Sequence, residues 1–426
     1  MADRIQAIRG MNDVLPQDSA NWRRLENVFA NCLSRYAYQE IRFPIVESTQ
    51  LFKRTIGEVT DIVEKEMYTF TDLNGDSLTL RPEGTAGCLR ACLEHGLLHN
   101  QQQKLWYLGP MFRHEKPQKG RYRQFHQLGV EALGMDGVAI ELELISMCRR
   151  IWRELGIEQS LRLQINTIGE LSERQDFRAR LVAFLTPLAS QLDADSQRRL
   201  TRNPLRILDS KNPEVQALLR DAPSLFDSLS DASREKFNAL CQGLDAMGIA
   251  YDINPLLVRG LDYYGHTVFE WVTDQLGSQA TVCAGGRYDV LVEQLGGNAT
   301  PAIGFAMGVE RLLLLMETLG ATLNEAPVPS FFLVAVSDEA RQQALLIAEE
   351  LRDANPNWQV ITNTAGGSFK SQFKKADKSG ADYALILGDD ELQQNKVSVK
   401  NLRRDEEQVT IFRQQLSACL KGYLGE

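Results

Sequence analysis

Apolar residues recur at spacings of three and four from Trp22 to Tyr36, with Leu25, Phe29 and Cys32 between them, and this pattern predicts an amphipathic helix. The next stretch, EIRFPIVE at 40–47, carries Pro44 at its centre, which marks an edge strand or a strand end. Between Met67 and Pro82 the period becomes two. Tyr68 and Phe70 alternate with threonines, Asn74-Gly75 supplies a turn, and Leu78 and Leu80 alternate on the way back, which predicts a hairpin. The segment 83–94 then starts a helix, with Thr85 as its cap and Cys88, Leu89, Cys92 and Leu93 as its buried stripe. Phe112–Glu115 and Phe125–Glu131 read as antiparallel strands joined by a long loop. From about 172 to 248 the chain is helical, charged and loosely patterned. It interrupts one strand-rich region and precedes another, so it reads as an insertion. LVRGLDYYGHTVFEW (257–271) and ATVCAGGRYDVLV (280–292) return to strand composition, and GFAMGVERLLLLMETLG (304–320) closes this part with a helix. A proline-bearing linker at Asn324–Ser330 follows. Beyond it, strand and helix patterns alternate, from FFLVAVS through a helix near Ala340–Ala354, WQVITN and a Lys-rich helix to YALILG. They predict a small α/β domain of about 100 residues.

Composition adds limits. A length of 426 residues suggests two or three domains, and 43% apolar with 24% charged residues is ordinary for a globular chain. The seven cysteines form an odd set without a CxxC pair, which fits reduced thiols. His95 and His99 lie four apart with no acidic residue between them, so they read as helix histidines and not as zinc ligands. MADRIQAIRG lacks the apolar stretch of a signal peptide, and no apolar run approaches the roughly 18 residues of a membrane span. A soluble, cytoplasmic protein without a membrane partner is expected.

Charge is unevenly placed. The whole chain is net −9, yet Arg113–Arg123 holds five Lys or Arg and one Glu. Alternation would put Arg113 and Glu115 on one face of the first strand, and Phe125, Gln127, Gly129 and Glu131 on one face of the second. Such a face is built to hold something polar, with Gly129 leaving space for a ligand. The loop's Lys and Arg side chains suit phosphates. RPEGT sets Arg81, Glu83 and Thr85 at a strand-to-helix junction, where side chains and free N–H groups can meet a ligand. RGLDYYGHT places Arg259 and Tyr263 on one strand face with Tyr264 at its end, and His266 reads as a turn residue. GGRYD adds Gly285, Gly286 and Arg287, and GFAMGVER adds Gly304, Gly308 and Arg311. Neither GxGxxG nor a Walker loop is present, so nucleotide binding would rest on arginines.

These stretches resemble a class II aminoacyl-tRNA synthetase, and specifically the histidyl-tRNA synthetase family of bacterial type. FRHE…RYRQFHQ looks like the second class motif, GFAMGVER like the third, and the helix ending at EIRFP like the first, which forms a dimer interface in that class. LVRGLDYY and TVCAGGRYD resemble the histidine-specific signatures, and RPEGTAG and NPLRILDSKNPEV also match. The resemblance implies an α+β fold. A class II catalytic core of antiparallel sheet flanked by helices would span 1–325, with the helical insertion at about 172–248. A C-terminal α/β anticodon-binding domain would span 330–426. It implies activation of L-histidine with ATP and Mg²⁺ to histidyl-adenylate, then transfer to the 3′ end of tRNA(His), by a homodimer. Glu83, Thr85 and Gln127 would hold the amino group of histidine, Glu131 and Tyr264 the two imidazole nitrogens, and Tyr263 the pocket wall. Arg113 would clamp the α-phosphate, Phe125 and Arg311 would sandwich adenine, Glu115 would read its amino group, and Arg121 would hold the γ-phosphate. Arg259 would lie beside both the histidine carboxylate and the α-phosphate, and with Arg113 would carry the catalysis. No protein metal ligand is implied. The last domain is a weaker case by charge alone, with 12 Lys plus Arg against 14 Asp plus Glu between Pro327 and Glu426. Only Lys370, Lys374, Lys375 and Lys378 make a basic helix there.

The family has regulatory relatives, subunits of ATP phosphoribosyltransferase, which typically lack the C-terminal domain and lose ATP-site arginines. This chain keeps Arg113, Arg121, Arg259 and Arg311. LVRGLDYY and Glu131 argue against a related synthetase for another amino acid.

Overall fold

The computed structural model describes residues 4–57, 60–208, 210, 212–259, 261, 263–277, 280–321 and 328–424. The chain divides into two compact units, Met1–Leu323 and Asn324–Glu426. Of the linker read at Asn324–Ser330, residues 324–327 lie outside the described residues, as do Gly260 and Asp262 of LVRGLDYY.

In the first unit eight strands form one sheet. Their order is Gln39–Glu40, Gln103–Phe112, Gln124–Leu133, Ala302–Gly308, Thr281–Arg287, Gly265–Val272, Arg162–Thr167 and Tyr251–Ile253. The six inner strands pair antiparallel, and each short edge strand runs parallel to its neighbour. Period-two alternation decides what each face carries. Strand Gln124–Leu133 sends Leu128, Val130 and Ala132 into a core shared with helices Pro16–Arg35, Val138–Glu154, Asp231–Ala246 and Val309–Leu319. Each fully buried Leu or Phe there contributes roughly 1.5–3 kcal/mol. The opposite face of the same strand carries Phe125, Gln127, Gly129 and Glu131.

The helix read from Trp22 onward starts at Pro16, whose fixed φ suits a first turn, and buries Leu25, Phe29, Cys32 and Leu33. Pro44 lies between two short strands and ends neither: Gln39–Glu40 edges the large sheet, while Val46–Ser48 joins a three-stranded sheet with the hairpin. The hairpin pairs Tyr68 with Leu80 and Phe70 with Leu78. Its turn holds Gly75 at φ +91°, and the Asp72 carboxylate accepts from the N–H groups of Asn74 and Asp76, both at 2.9 Å.

Four readings are corrected. The ladder between Gln103–Phe112 and Gln124–Leu133 closes at Phe112 opposite Gln124, so Arg113 and Glu115 lie in the loop and not on a strand face. Arg259, Tyr263 and Tyr264 likewise precede their strand, which begins at Gly265. GFAMG is itself a strand, and the helix starts only at Val309. Thr85 does not cap the helix Thr85–Glu94. Glu83 does, its carboxylate accepting from Thr85 N at 2.7 Å and Ala86 N at 2.9 Å.

Within the stretch read as an insertion, helix Leu171–Leu185 and the short elements after it bury Phe177, Leu181, Ile207 and Leu225 in a core that also holds Cys88, Cys92, Tyr107, Tyr263 and Tyr264. Helix Asp231–Ala246 packs instead on Val138–Glu154 through Phe237, Leu240 and Leu244.

The second unit is a five-stranded sheet in the order Gln359–Thr362, Ser330–Ala335, Tyr383–Leu387, Lys396–Asn401 and Val409–Phe412. The first three strands are parallel, and the last two add antiparallel. Helices Asp338–Ala354, Phe369–Lys378 and Leu416–Leu424 pack with it. The four lysines of Phe369–Lys378 are exposed, while Gln372 and Ala376 are buried.

Candidate active site

The polar face of the large sheet opens into a cavity of about 400 Å³. All twelve side chains that the sequence singles out as site residues line it: Glu83, Thr85, Arg113, Glu115, Arg121, Phe125, Gln127, Glu131, Arg259, Tyr263, Tyr264 and Arg311. Arg81 and Arg287 do not. Arg81 is buried, donates to the backbone oxygens of Pro110 and Phe43 at 2.9 and 3.1 Å, and stacks on the Phe43 ring. Arg287 is fully buried, and donates to Glu141 at 2.8 Å, Asp289 at 3.2 Å and Gly137 O at 2.9 Å. Both tie structural elements together. His266 sits at φ +48° and donates its N–H to Gly169 O at 2.9 Å, joining two segments outside the cavity.

One end of the cavity centres on Glu131, 1% exposed. Thr85 Oγ1 and the Tyr107 hydroxyl each donate to its Oε1 at 2.9 Å, and the Tyr288 hydroxyl donates to Oε2. Burial pushes this carboxyl up to about 8, against the three hydroxyl bonds that favour its ionised form. The residue opposite is Gly304, and a Cβ there would sit 2.0 Å from Glu131 Oε2. Glycine is therefore required at 304 by the carboxylate itself. Gly129 has a different reason from the one expected. A Cβ on it would fall 2.1 Å from the Tyr107 ring, so the space is filled by Tyr107 and not kept for a ligand. Tyr107 and Tyr288 were missed from the sequence, although Tyr288 stands inside the quoted GGRYD. The ring of Tyr263 packs against those of Tyr264 and Tyr288, with centroids 4.7 and 5.6 Å apart. Gln127 Oε1 is buried and has no hydrogen-bond partner among the described residues.

The other end is cationic. Arg113 donates from Nε to Pro82 O at 2.8 Å and lies over the Phe125 ring at 5.4 Å. Arg121 pairs with Glu115. In the loop, Gln118 and Arg121 exchange backbone bonds of 3.0 and 2.9 Å around Gly120 at φ +76°. That turn folds the basic segment back over the cavity, where Arg311 donates to Gly120 O at 3.2 Å and to Thr281 O at 2.7 Å. Burial, and then the charges of Arg121 and Arg113, push Arg311 down to about 10. Arg113, Arg121 and Arg311 thus crowd one end of the cavity, where an anion would relieve their mutual repulsion. Arg259 stands between the two ends. It pairs with Glu270, which also accepts from Thr281 Oγ1 at 2.8 Å, and its guanidinium lies over the Tyr264 ring. A small zwitterion with a polar ring fits the first end and a polyphosphate the second, with Arg259 where they would meet.

Residues 10–312 match the family model described as histidyl-tRNA synthetase, and residues 330–423 match the anticodon binding domain. The histidine–tRNA ligases of Legionella pneumophila strains Paris and Lens are 66% and 65% identical over 424 residues, covering 100% of both chains. The apo histidyl-tRNA synthetase of S. aureus superposes with a TM-score of 0.83 at 37% identity, covering 98% of this chain and 100% of that one. A structure from Bacillus halodurans C, an ATP phosphoribosyltransferase regulatory subunit/histidyl-tRNA synthetase, has a TM-score of 0.62 at 19% identity. It covers 88% of this chain and 97% of that one, and shares the fold. By its family match, its full-length relatives and its class II α+β fold, this chain belongs to the histidyl-tRNA synthetase family.

Proposed function

We infer that this chain is a histidine–tRNA ligase, and we propose a division of labour within its cavity. The observation that carries the reading is Glu131, a buried carboxylate held by three hydroxyls at the closed end of a pocket whose other end is arginine-rich. In its ionised form, which a ring N–H would favour, the carboxylate has about four acceptor positions. Three are taken, and the fourth is left for an imidazole N–H. Tyr264 addresses the second ring nitrogen, and Tyr263 forms the wall. A ring with two opposed polar nitrogens satisfies this site, and an isosteric side chain without them leaves buried groups unpaired. The ammonium group lies against Glu83, Thr85 and the partnerless Gln127 Oε1.

At the cationic end Arg113 holds the α-phosphate and Arg121 the γ-phosphate, while Phe125 and Arg311 enclose adenine and Glu115 accepts from its amino group. Mg²⁺ would enter on the phosphates. Glu270 and Glu310 line the same cavity and fit a cation held by one or two carboxylates plus phosphate oxygens. Bound there, it would neutralise phosphate charge.

The histidine carboxylate attacks the α-phosphorus, an O–P bond forms, and pyrophosphate leaves with the electron pair of the broken bond. Two anions must approach, and charge builds on the phosphate oxygens. Arg259, held by Glu270, supplies a fixed positive charge between them. In the second step a 3′-terminal ribose hydroxyl attacks the carbonyl carbon. AMP leaves with the electron pair, and the hydroxyl proton passes to solvent.

The unit 1–325 is the catalytic domain, with the helical insertion at about 172–248, and the unit 330–426 binds the anticodon. Dimerisation through the first motif is supported by Ile8, Val14, Leu15, Ile45 and Val46, apolar side chains exposed on the single chain around it. The protein works in the cytoplasm; among the described residues no helix is long and apolar enough to cross a membrane. The test is pyrophosphate exchange with each of the twenty amino acids. Exchange with histidine alone is expected, and preference for another amino acid would overturn the reading.

A further inference from the structure

Glu141 stands on helix Val138–Glu154, is fully buried, and does not line the reaction cavity. Its two oxygens hold two different strands. Arg287 Nε donates to Oε1 at 2.8 Å, and Thr267 Oγ1 donates to Oε2 at 2.5 Å. Asp289 at 3.2 Å and Gly137 O at 2.9 Å take the other arms of the guanidinium. The two strands, Gly265–Val272 and Thr281–Arg287, pair antiparallel and slip at this place. Gly286 faces Val268, while Arg287 faces Gly265. One step on one strand answers three on the other, so His266 and Thr267 have no counterpart across the pair. A bulge of this kind re-aims side chains and interrupts the ladder, so the ladder itself does not fix the two strands here. The Glu141 carboxylate does.

Two tyrosines of the cavity flank the bulge. Tyr264 precedes Gly265, and its ring lies on Gly286, where a Cβ would come 3.0 Å from its Cδ1. Tyr288 follows Arg287, and its hydroxyl donates to Glu131 Oε2. The two rings meet edge to face with centroids 6.2 Å apart. Neighbouring side chains leave extended backbone on opposite sides, so Arg287 turns to the helix while Tyr288 turns to the cavity. Stability alone does not call for an ion pair at this place. A buried pair recovers little of the desolvation that it costs, and apolar side chains of like volume often serve as well. What charged hydrogen bonds add is direction. A binding constellation works when its supporting bonds hold it within roughly 0.5 Å. We propose that Glu141 is a positioning residue for histidine recognition: by clasping both sides of the bulge it holds Tyr264 and Tyr288 where the imidazole ring meets them. The proposal rests on the ligase reading given above.

The test measures histidine-dependent pyrophosphate exchange in two variants outside the cavity. Thr267→Val removes one of the two donors. Glu141→Asp keeps the charge beside Arg287 but is one methylene too short to span both. In each, KM for histidine should rise at least about fivefold, as for one hydrogen bond set out of place. Both kcat and KM for ATP should stay within about threefold of the unmodified chain. Thr267→Ser keeps the hydroxyl, and all three constants should stay within about twofold. Histidinol has the ring and the ammonium group but no carboxylate. As an inhibitor it should lose affinity by the same factor as histidine, because the change lies at the ring and not at Arg259. Either folded variant decides. A lowered Tm with an unchanged KM for histidine would overturn the proposal and leave Glu141 a structural residue. A rise shared equally by ATP, or one that histidinol does not share, would overturn it too. Absence of histidine-dependent exchange in the unmodified chain would overturn the ligase reading, and the proposal with it.

Discussion

Replacing Glu131 with Gln tests the imidazole site with little change of shape. In the folded chain Oε1 accepts from Thr85 and Tyr107, and Oε2 from Tyr288. Glutamine keeps one oxygen for the first two donors. Its amide NH₂ then faces Tyr288, whose hydroxyl can rotate and accept. What disappears is the fourth acceptor position, the one left for the ring N–H of histidine. A buried donor without an acceptor costs about 1–3 kcal/mol. At 1.4 kcal/mol per factor of ten, KM for histidine should rise about 5- to 150-fold. KM for ATP should stay unchanged, because Glu131 lies at the opposite end of the cavity from Arg113, Arg121 and Arg311, the arginines proposed to meet ATP. Pyrophosphate exchange at varied histidine and saturating ATP, and then the reverse, separates the two. An unchanged KM for histidine in a folded Glu131→Gln protein would refute the assignment, and an equal rise in both constants would show that the substitution had disturbed the whole cavity.

The remaining predictions concern neighbours of that site and the second unit. Glu131 has a raised folded pKa, about 8 against 4.5, so the stability it contributes is complete below pH 4.5 and is lost as pH rises through 8. Thermal melts should therefore show Tm falling over that window more steeply in the unmodified chain than in Glu131→Gln; parallel profiles would refute it. Arg259→Ala should slow adenylate formation by roughly 10²–10³-fold, with Lys restoring only part, while transfer from preformed adenylate suffers far less. Single-turnover measurement of the two half-reactions decides, and equal slowing would make Arg259 a structural residue. Gly304→Ala puts a methyl group 2.0 Å from Glu131 Oε2 and 2.5 Å from Val130 O, where the backbone cannot yield. It should cost about 1–3 kcal/mol of stability and raise KM for histidine, and a normal melt with normal KM would contradict the close approach. A chain ending at Leu323 should still exchange pyrophosphate but charge tRNA poorly; full-rate charging would remove the anticodon role from the second unit.

Much of this protein is written in local pattern. The three-four spacing of Leu25, Phe29 and Cys32 specifies a helix and its buried side, because one turn returns every 3.6 residues. The alternation in Phe125, Gln127 and Glu131 specifies a polar face, because strand side chains change sides at each residue. The motifs that carry these residues were enough to name the family and its reaction, which the relatives bear out. The last two strands, Lys396–Asn401 and Val409–Phe412, escaped because their mixed polar composition is stabilised by a neighbouring strand and not by a pattern of their own.

Tertiary structure alone decided which similar residues line the cavity. Arg81 and Arg287 stand in motifs as suggestive as those of Arg113 and Arg259, yet they are spent on backbone carbonyls and on Glu141. Tyr107 and Tyr288 reach Glu131 from 24 and 157 positions away in the chain. A guanidinium or a hydroxyl has the same local sequence signature whether it faces a cavity or a carboxylate. Its partner is chosen by which strands lie side by side in the sheet, and that is settled only when non-adjacent segments bury their apolar faces together.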